Sequence, residues 1–184
     1  ELSDAHVDVM GYACLVAIMS MGRGYHCVSE VNLHQETIAN DFPTPIVTSA
    51  GALINGLKVL GAKQISIITP YMRPLTDKVV DYIEHQGIKV KESIALEIPD
   101  NLEVAAQNPM NLLEIYKQLD LTDVDVLVAS ACVQMPSLEA IDLIQAECGI
   151  PVTSAAVCTT YEMMKKLGIE AKSTIGGELL NGKY

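Results

Sequence analysis

The sequence predicts an α/β protein made of two similar halves, each built on a parallel sheet. Three observations lead there. Strand-like and helix-like segments alternate along the chain, the signature of βαβ units. A series of short motifs occurs twice in the same order. The 184 residues are 49% hydrophobic and 19% charged, enough apolar surface for a real core. The longest apolar run, residues 13–19, is far short of the ~20 residues a membrane-spanning helix needs.

The elements follow in order. Residues 7–10 are apolar and rich in β-formers, a first strand. Residues 26–40 place Val28, Val31, Gln35 and Ile38 on one face of a helix. Residues 46–47 read as a strand and 49–60 as a helix stopped by Gly61. Gln64–Thr69 is a strand, and 74–85 a helix with Pro74 at its start and Gly87 past its end. Lys89–Ala95 alternates as a strand. Asn108 and Pro109 form a cap and first-turn pair that opens a helix to Leu119. Residues 124–129 are a buried strand, and 137–148 a helix ending at Gly149. Val152 is strand-like, and 155–167 form a helix ending at Gly168.

The first motif series is Val7-Asp8-Val9, Cys14, Pro45-Ile46-Val47-Thr48-Ser49-Ala50 and Leu60-Gly61. The second is Val124-Asp125-Val126, Cys132, Pro151-Val152-Thr153-Ser154-Ala155 and Leu167-Gly168. Val-Asp-Val and Leu-Gly are common in α/β proteins, but the identical Val-Thr-Ser-Ala in sequence with them points to duplication. Two such halves face each other across a pseudo-twofold axis, each presenting one cysteine to a shared cleft. We expect residues 1–60 to belong to a first lobe, which 168–184 rejoin, and 61–167 to form the second. The chain opens at Glu1, six residues before its first strand-like run, and a further N-terminal segment is expected ahead of it.

Composition excludes several classes. Acidic residues number 23 against 12 Lys plus Arg, a net charge of −11. That lacks the positive field of a nucleic-acid or anionic-membrane binder. Five cysteines at irregular spacing argue for reduced thiols in a cytoplasm rather than a disulfide framework. His6, His26, His34 and His85 form no ligand pattern, and the metal and nucleotide motifs CxxC, HExxH, P-loop and GxGxxG do not occur. No cofactor is indicated.

Cys14 and Cys132 each lie just beyond a buried strand, and ligands of open α/β sheets bind outside the carboxyl ends of strands. Cysteine is ordinarily a small core hydrophobe, the reading adopted for Cys27, Cys148 and Cys158 within helices. Matched positions in the repeat favour function for the other two. Two thiols on one small cleft suit a thiolate nucleophile or base opposite a thiol acid. Their flanks are apolar, Leu15-Val16-Ala17 and Val133-Gln134-Met135-Pro136, so an anion there would be held by backbone N–H groups. Thr48-Ser49 and Thr153-Ser154 start helices, either as simple caps or as N-termini that hold a carboxylate. Tyr71, in a strand-to-helix loop, is either a surface residue or a donor to a substrate carboxylate. Arg73 reads as solvated. Turn chemistry alone explains Asn101 in Pro99-Asp100-Asn101.

Four stretches carry a more specific signal: Gly11-Tyr12-Ala13-Cys14-Leu15-Val16-Ala17, Ser49-Ala50-Gly51-Ala52-Leu53, Ile68-Thr69-Pro70-Tyr71-Met72 and Ser130-Ala131-Cys132-Val133-Gln134-Met135. Together they resemble the bacterial maleate cis–trans isomerases, of the aspartate/glutamate racemase superfamily, to which arylmalonate decarboxylase is related. The separation of the two cysteines, with Tyr71 and Asn101 between them, suits that family. The resemblance implies two pseudo-twofold-related Rossmann-like α/β/α lobes with parallel sheets, the first truncated at its N-terminus. The family's missing stretch includes a first strand and a substrate-binding Asn. It implies Cys14 as the nucleophile that adds to maleate, giving a succinyl-cysteine, and Cys132 as the group that donates and recovers the proton. Tyr71 and Asn101 would contact the substrate carboxylates, and backbone at Leu15, Val16 and Val133 would form the nest. It further implies a cofactor-free, cytoplasmic homodimer acting on a small dicarboxylate.

Three alternatives are weaker. A two-cysteine racemase carries polar residues straight after each cysteine, where this chain has Leu15 and Val133. An arylmalonate-type decarboxylase would lack the first cysteine. A non-catalytic small-anion or thiol redox-sensing domain has no need of Cys14, Tyr71, Asn101 and Cys132 together.

Overall fold

Short parallel strands that each end in a turn toward a helix build the molecule. The computed structural model describes residues 2–184. β1 (Met10–Tyr12) and β2 (Ile46–Thr48) form a two-stranded parallel sheet, with Met10 opposite Ile46 and Tyr12 opposite Thr48. α1 (Leu15–Met19) and α2 (Tyr25–Ala39) connect them, and α3 (Ser49–Val59) follows β2 directly. A second sheet contains β3 (Gln64–Thr69), β4 (Lys89–Ala95), β5 (Val126–Ser130) and β6 (Val152–Ser154). Its order is β4-β3-β5-β6, all parallel. α4 (Arg73–His85), α5 (Asn101–Ala105), α6 (Leu112–Ile115), α7 (Leu138–Cys148) and α8 (Ala155–Lys166) complete the chain. Ile65, Ile67, Val126 and Val128 in the central strands are fully buried, as a parallel sheet covered on both faces requires.

The repeat has a structural counterpart. Cys14 lies two residues past β1, and Cys132 two residues past β5. Each of those strands pairs with a proline-led strand: the Met10 amide donates to the Pro45 carbonyl (2.9 Å), the Leu127 amide to that of Pro151 (3.0 Å). Thr48 Oγ1 caps α3 by accepting from the Gly51 amide (3.1 Å), and Ser154 Oγ caps α8 by accepting from that of Val157 (3.2 Å). Both caps stand three residues past the proline, so the Val-Thr-Ser-Ala match is one residue out of step with the hydrogen-bonding roles. α3 and α8 then cross closely. A Cβ on Gly56 would stand 2.6 Å from Cys158 Sγ, which is why glycine occupies the crossing.

Several expectations are corrected. The strand expected at 7–10 forms at Met10–Tyr12, because its partner β2 begins only after Pro45. The face of α2 that carries Val28, Val31 and Ile38 is turned outward, with all three about half exposed. The opposite side is buried because its polar groups find partners. His26 Nδ1 is 2.6 Å from Tyr82 Oη, and Thr37 Oγ1 accepts from the Thr44 amide (2.9 Å). The helix expected at 109–119 is broken into a 3₁₀ turn (Pro109–Asn111), α6 and a second 3₁₀ turn (Tyr116–Gln118). Its apolar spacing survives, with Leu112 and Tyr116 both buried. Residues 168–184 lie on α7, where the Gly176 and Gly177 amides donate to Asp142 (3.1 and 2.9 Å), and reach α3 where Leu179 faces Gly56. No helix among the described residues is long and apolar enough to cross a membrane.

Candidate active site

The loops that follow β1, β3 and β5 enclose, with α5, a cavity of about 110 Å³. Cys14, Leu15 and Val16 come from the first loop, Tyr71 from the second, Cys132 and Val133 from the third, and Asn101 from α5. The seven residues that the family resemblance implies for the site therefore line one space. A pocket for a drug-sized ligand is typically about 300–1,000 Å³, and an apolar cavity of about 150 Å³ holds benzene. This one is small and partly open, a size that suits a compact ligand rather than a drug-sized one. Larger hollows of about 360 and 410 Å³ lie elsewhere, and neither brings a cysteine to its wall.

Local structure explains each placement. Cys14 is exposed and extended (φ −120°, ψ 96°) at the residue before α1. Its thiol thus stands at the start of a helix whose first amides, those of Leu15 and Val16, have no partner within the helix. Cys132 is buried. Ser130 Oγ donates to its carbonyl (2.9 Å), and the Ala131 amide donates to the Ile68 carbonyl (2.9 Å), fixing the loop to β3. Tyr71 Oη donates to the Ala131 carbonyl (3.2 Å). Burial first, then the neighbouring Cys132 and Cys14 thiols, push the Tyr71 phenol far above its ordinary range. It is a neutral donor at any physiological pH.

Asn101 arrives by a longer route. Past β4 the chain runs back along the β3–α4 turn, with the Leu96 amide on the Thr69 carbonyl and the Ile98 amide on that of Pro70 (both 2.9 Å). This lays Asp100 and Asn101 beside the cavity. Asp100 caps α5, its Oδ1 accepting from the Leu102 amide (2.6 Å), so turn chemistry does not account for Asn101. Arg73 points away and donates to Ser93 Oγ (3.0 Å). Thr48 and Ser154 are caps outside the cavity. The carboxylate at the start of α3 is the protein's own: Glu30 Oε1 accepts from the Thr48 amide (3.0 Å) and hydroxyl (2.7 Å). Cys27, expected in the core, is exposed on α2. Cys148 is half-buried at the end of α7, and Cys158 is fully buried, which pushes its thiol up to about 12. Among the described residues no group of three or more His, Cys, Asp or Glu is arranged to hold a metal ion.

Ala13, Val104 and Gln134 complete the wall and were not anticipated. Ala13 and Gln134 stand inside the motif stretches, where nothing local marks them as lining residues. Val104 is 4% exposed on α5, a helix too short to leave a periodic signal.

The comparisons with known proteins fit this geometry. A sequence model of the arylmalonate decarboxylase family matches residues 6–180. A maleate isomerase of Geobacillus stearothermophilus is 54% identical over 184 residues, covering 100% of this chain and 73% of that protein. The chain belongs to the maleate isomerase family. Membership makes it an enzyme of the isomerase class. A maleate isomerase of Pseudomonas putida S16, solved with maleate, is 58% identical with a TM-score of 0.98, over 100% of this chain and 73% of that one. A Nocardia farcinica maleate cis-trans isomerase with a Cys-to-Ser substitution is 38% identical (TM-score 0.94, over 99% of this chain and 74% of that one). It carries a covalently bound succinylcysteine intermediate. The α/β architecture with parallel sheets is the one these maleate isomerases share.

Proposed function

We propose that the chain isomerises maleate to fumarate by reversible thiol addition. The observation that carries this reading is the meeting of Cys14 and Cys132, from the ends of two different sheets, in one small cavity. Cys14, as thiolate, adds to one vinylic carbon of maleate. The neighbouring carbon takes a proton from the Cys132 thiol, leaving a succinyl group on Cys14. The former double bond is now single and rotates. Cys132 takes the proton back, the C–S bond breaks, and fumarate leaves. No atom or electron is gained or lost over the cycle, so the residues alone suffice. Tyr71, Asn101 and the backbone amides of Leu15, Val16 and Val133 hold the carboxylates. Residues 1–60, rejoined by 168–184, form one lobe and 61–167 the other, with the site in the cleft between them. We assign the same reading a homodimer in a reducing cytoplasm.

The test is direct. The wild type should convert maleate to fumarate by NMR, and Cys14→Ala should abolish conversion. Cys132→Ser should slow turnover by about 10²-fold or more and accumulate an adduct of one maleic acid on Cys14, seen by mass spectrometry. A Cys14→Ala variant that still turns over, or an adduct on another cysteine, would sink the assignment.

A further inference from the structure

We propose that Gln134 is a positioning residue that sets Asn101 for the substrate carboxylate. Its side-chain amide Nε2 donates to the backbone carbonyl of Asn101 across 2.8 Å, joining two walls of the cavity that are 33 residues apart in sequence. One wall is the Cys132 loop, already fixed to β3 and by Tyr71 Oη to the Ala131 carbonyl. The other wall is α5, which is weakly held. It has five residues, and only Val104 among them is buried; Asn101, Leu102, Glu103 and Ala105 are exposed. A helix this short has little stability of its own, so its place depends on tertiary contacts. Two are in view: Val104 packing into the cavity wall, and the Gln134 bond at the first residue of the helix. The Asp100 cap organises α5 internally and does not tie it to the Cys132 loop. Gln134 therefore couples the position of Asn101 to the loop that carries Cys132. A diacid spanning the cavity then meets Asn101 and the Cys132 thiol at a fixed separation. The inference rests on the isomerase reading only in taking this cavity as the diacid site.

The experiment is a double-mutant cycle on the full chain: wild type, Gln134→Met, Asn101→Ala and the pair. KM and kcat are measured with maleate, and Kd with succinate, a saturated diacid that cannot isomerise. Methionine keeps the length and removes the donor. Gln134→Met should raise KM and Kd about three- to tenfold, the range one lost hydrogen bond produces, with KM rising more than kcat falls. In the Asn101→Ala background the same change should add less than about twofold, because Gln134 acts through Asn101. Should the methionine variant fold poorly, Gln134→Asn withdraws the amide by one methylene and gives the same reading. Unchanged KM and Kd, or a penalty undiminished without the Asn101 side chain, overturns the proposal. Succinate binding without maleate turnover refutes the isomerase reading, and Kd alone then judges Gln134. A wild type that binds neither diacid overturns both.

Discussion

The crossing of α3 and α8 can be perturbed at one atom. Gly56→Ala adds a Cβ that would stand 2.6 Å from Cys158 Sγ, 3.2 Å from Cys158 Cβ and 3.2 Å from Leu179 Cδ2. The nearest is not a mobile chain end. Cys158 is fully buried, and its sulfur is paired with Thr153 Oγ1 at 3.3 Å. Overpacking a core costs about 1–3 kcal/mol, and the tight contact argues for the upper part of that range. Alanine in a helix gains about 1 kcal/mol over glycine, which offsets part of it. The net loss is about 1–2 kcal/mol, or about 2–8 °C in Tm for a chain of this size. Thermal and urea melts followed by circular dichroism measure it. In a Cys158→Ala background the nearest obstacle is gone and the penalty should shrink by at least half. A Gly56→Ala protein that melts at or above the wild type refutes the argument, as does a penalty indifferent to Cys158.

Two further predictions concern titratable groups. Brief native alkylation should label the exposed Cys14 and Cys27 first and spare Cys158, whose buried thiol is pushed up to about 12, until denaturant is added; peptide mass spectrometry that finds Cys158 labelled in the native protein contradicts this. Burial lowers the pKa of His26, with the nearby Glu30 opposing. The unfolded chain therefore binds a proton near about pH 6.5 that the folded protein still refuses, so stability falls as pH drops below that value and is unaffected above it. Melts between about pH 7.5 and 5.5 should show a Tm decline that flattens in His26→Gln, and an equal slope in both proteins counts against it.

The sequence carried those features whose causes are local or repeated. The bounds of β3 and β4 coincide with the expectation because each is an apolar or alternating run closed by turn residues. The cysteine pair was legible through the repeat, which places both thiols just past a strand. The orientation of α2 was not legible. Its apolar stripe marks one face, but His26 is held by Tyr82, 56 residues away, and no window on α2 contains that partner. α5 was missed because five residues give no periodicity, and Val104 was missed with it. Asn101 was reachable only through resemblance, since locally it looked like turn chemistry until Asp100 proved to be the cap.

On the isomerase reading a net charge of −11 meets a dianionic substrate, and the cavity wall answers it without cations. No Lys, Arg or His lines it, and Arg73 faces outward to Ser93. Charges beyond about 8–10 Å are screened at physiological ionic strength, so the overall balance matters less than what touches the ligand. On the isomerase reading, neutral donors have a mechanistic advantage. Rotation about the former double bond requires one carboxylate to leave its contacts while the other stays. A hydrogen bond from a neutral donor to a carboxylate contributes about 1.5–3 kcal/mol, whereas a guanidinium pairs a carboxylate through two parallel bonds and a full opposite charge in a fixed geometry. An arginine clamp on both carboxylates would hold the cis geometry and resist the swing. On that reading, the neutral Tyr71, Asn101 and backbone amides would bind the dianion loosely enough to release one end of it, where a guanidinium clamp would not.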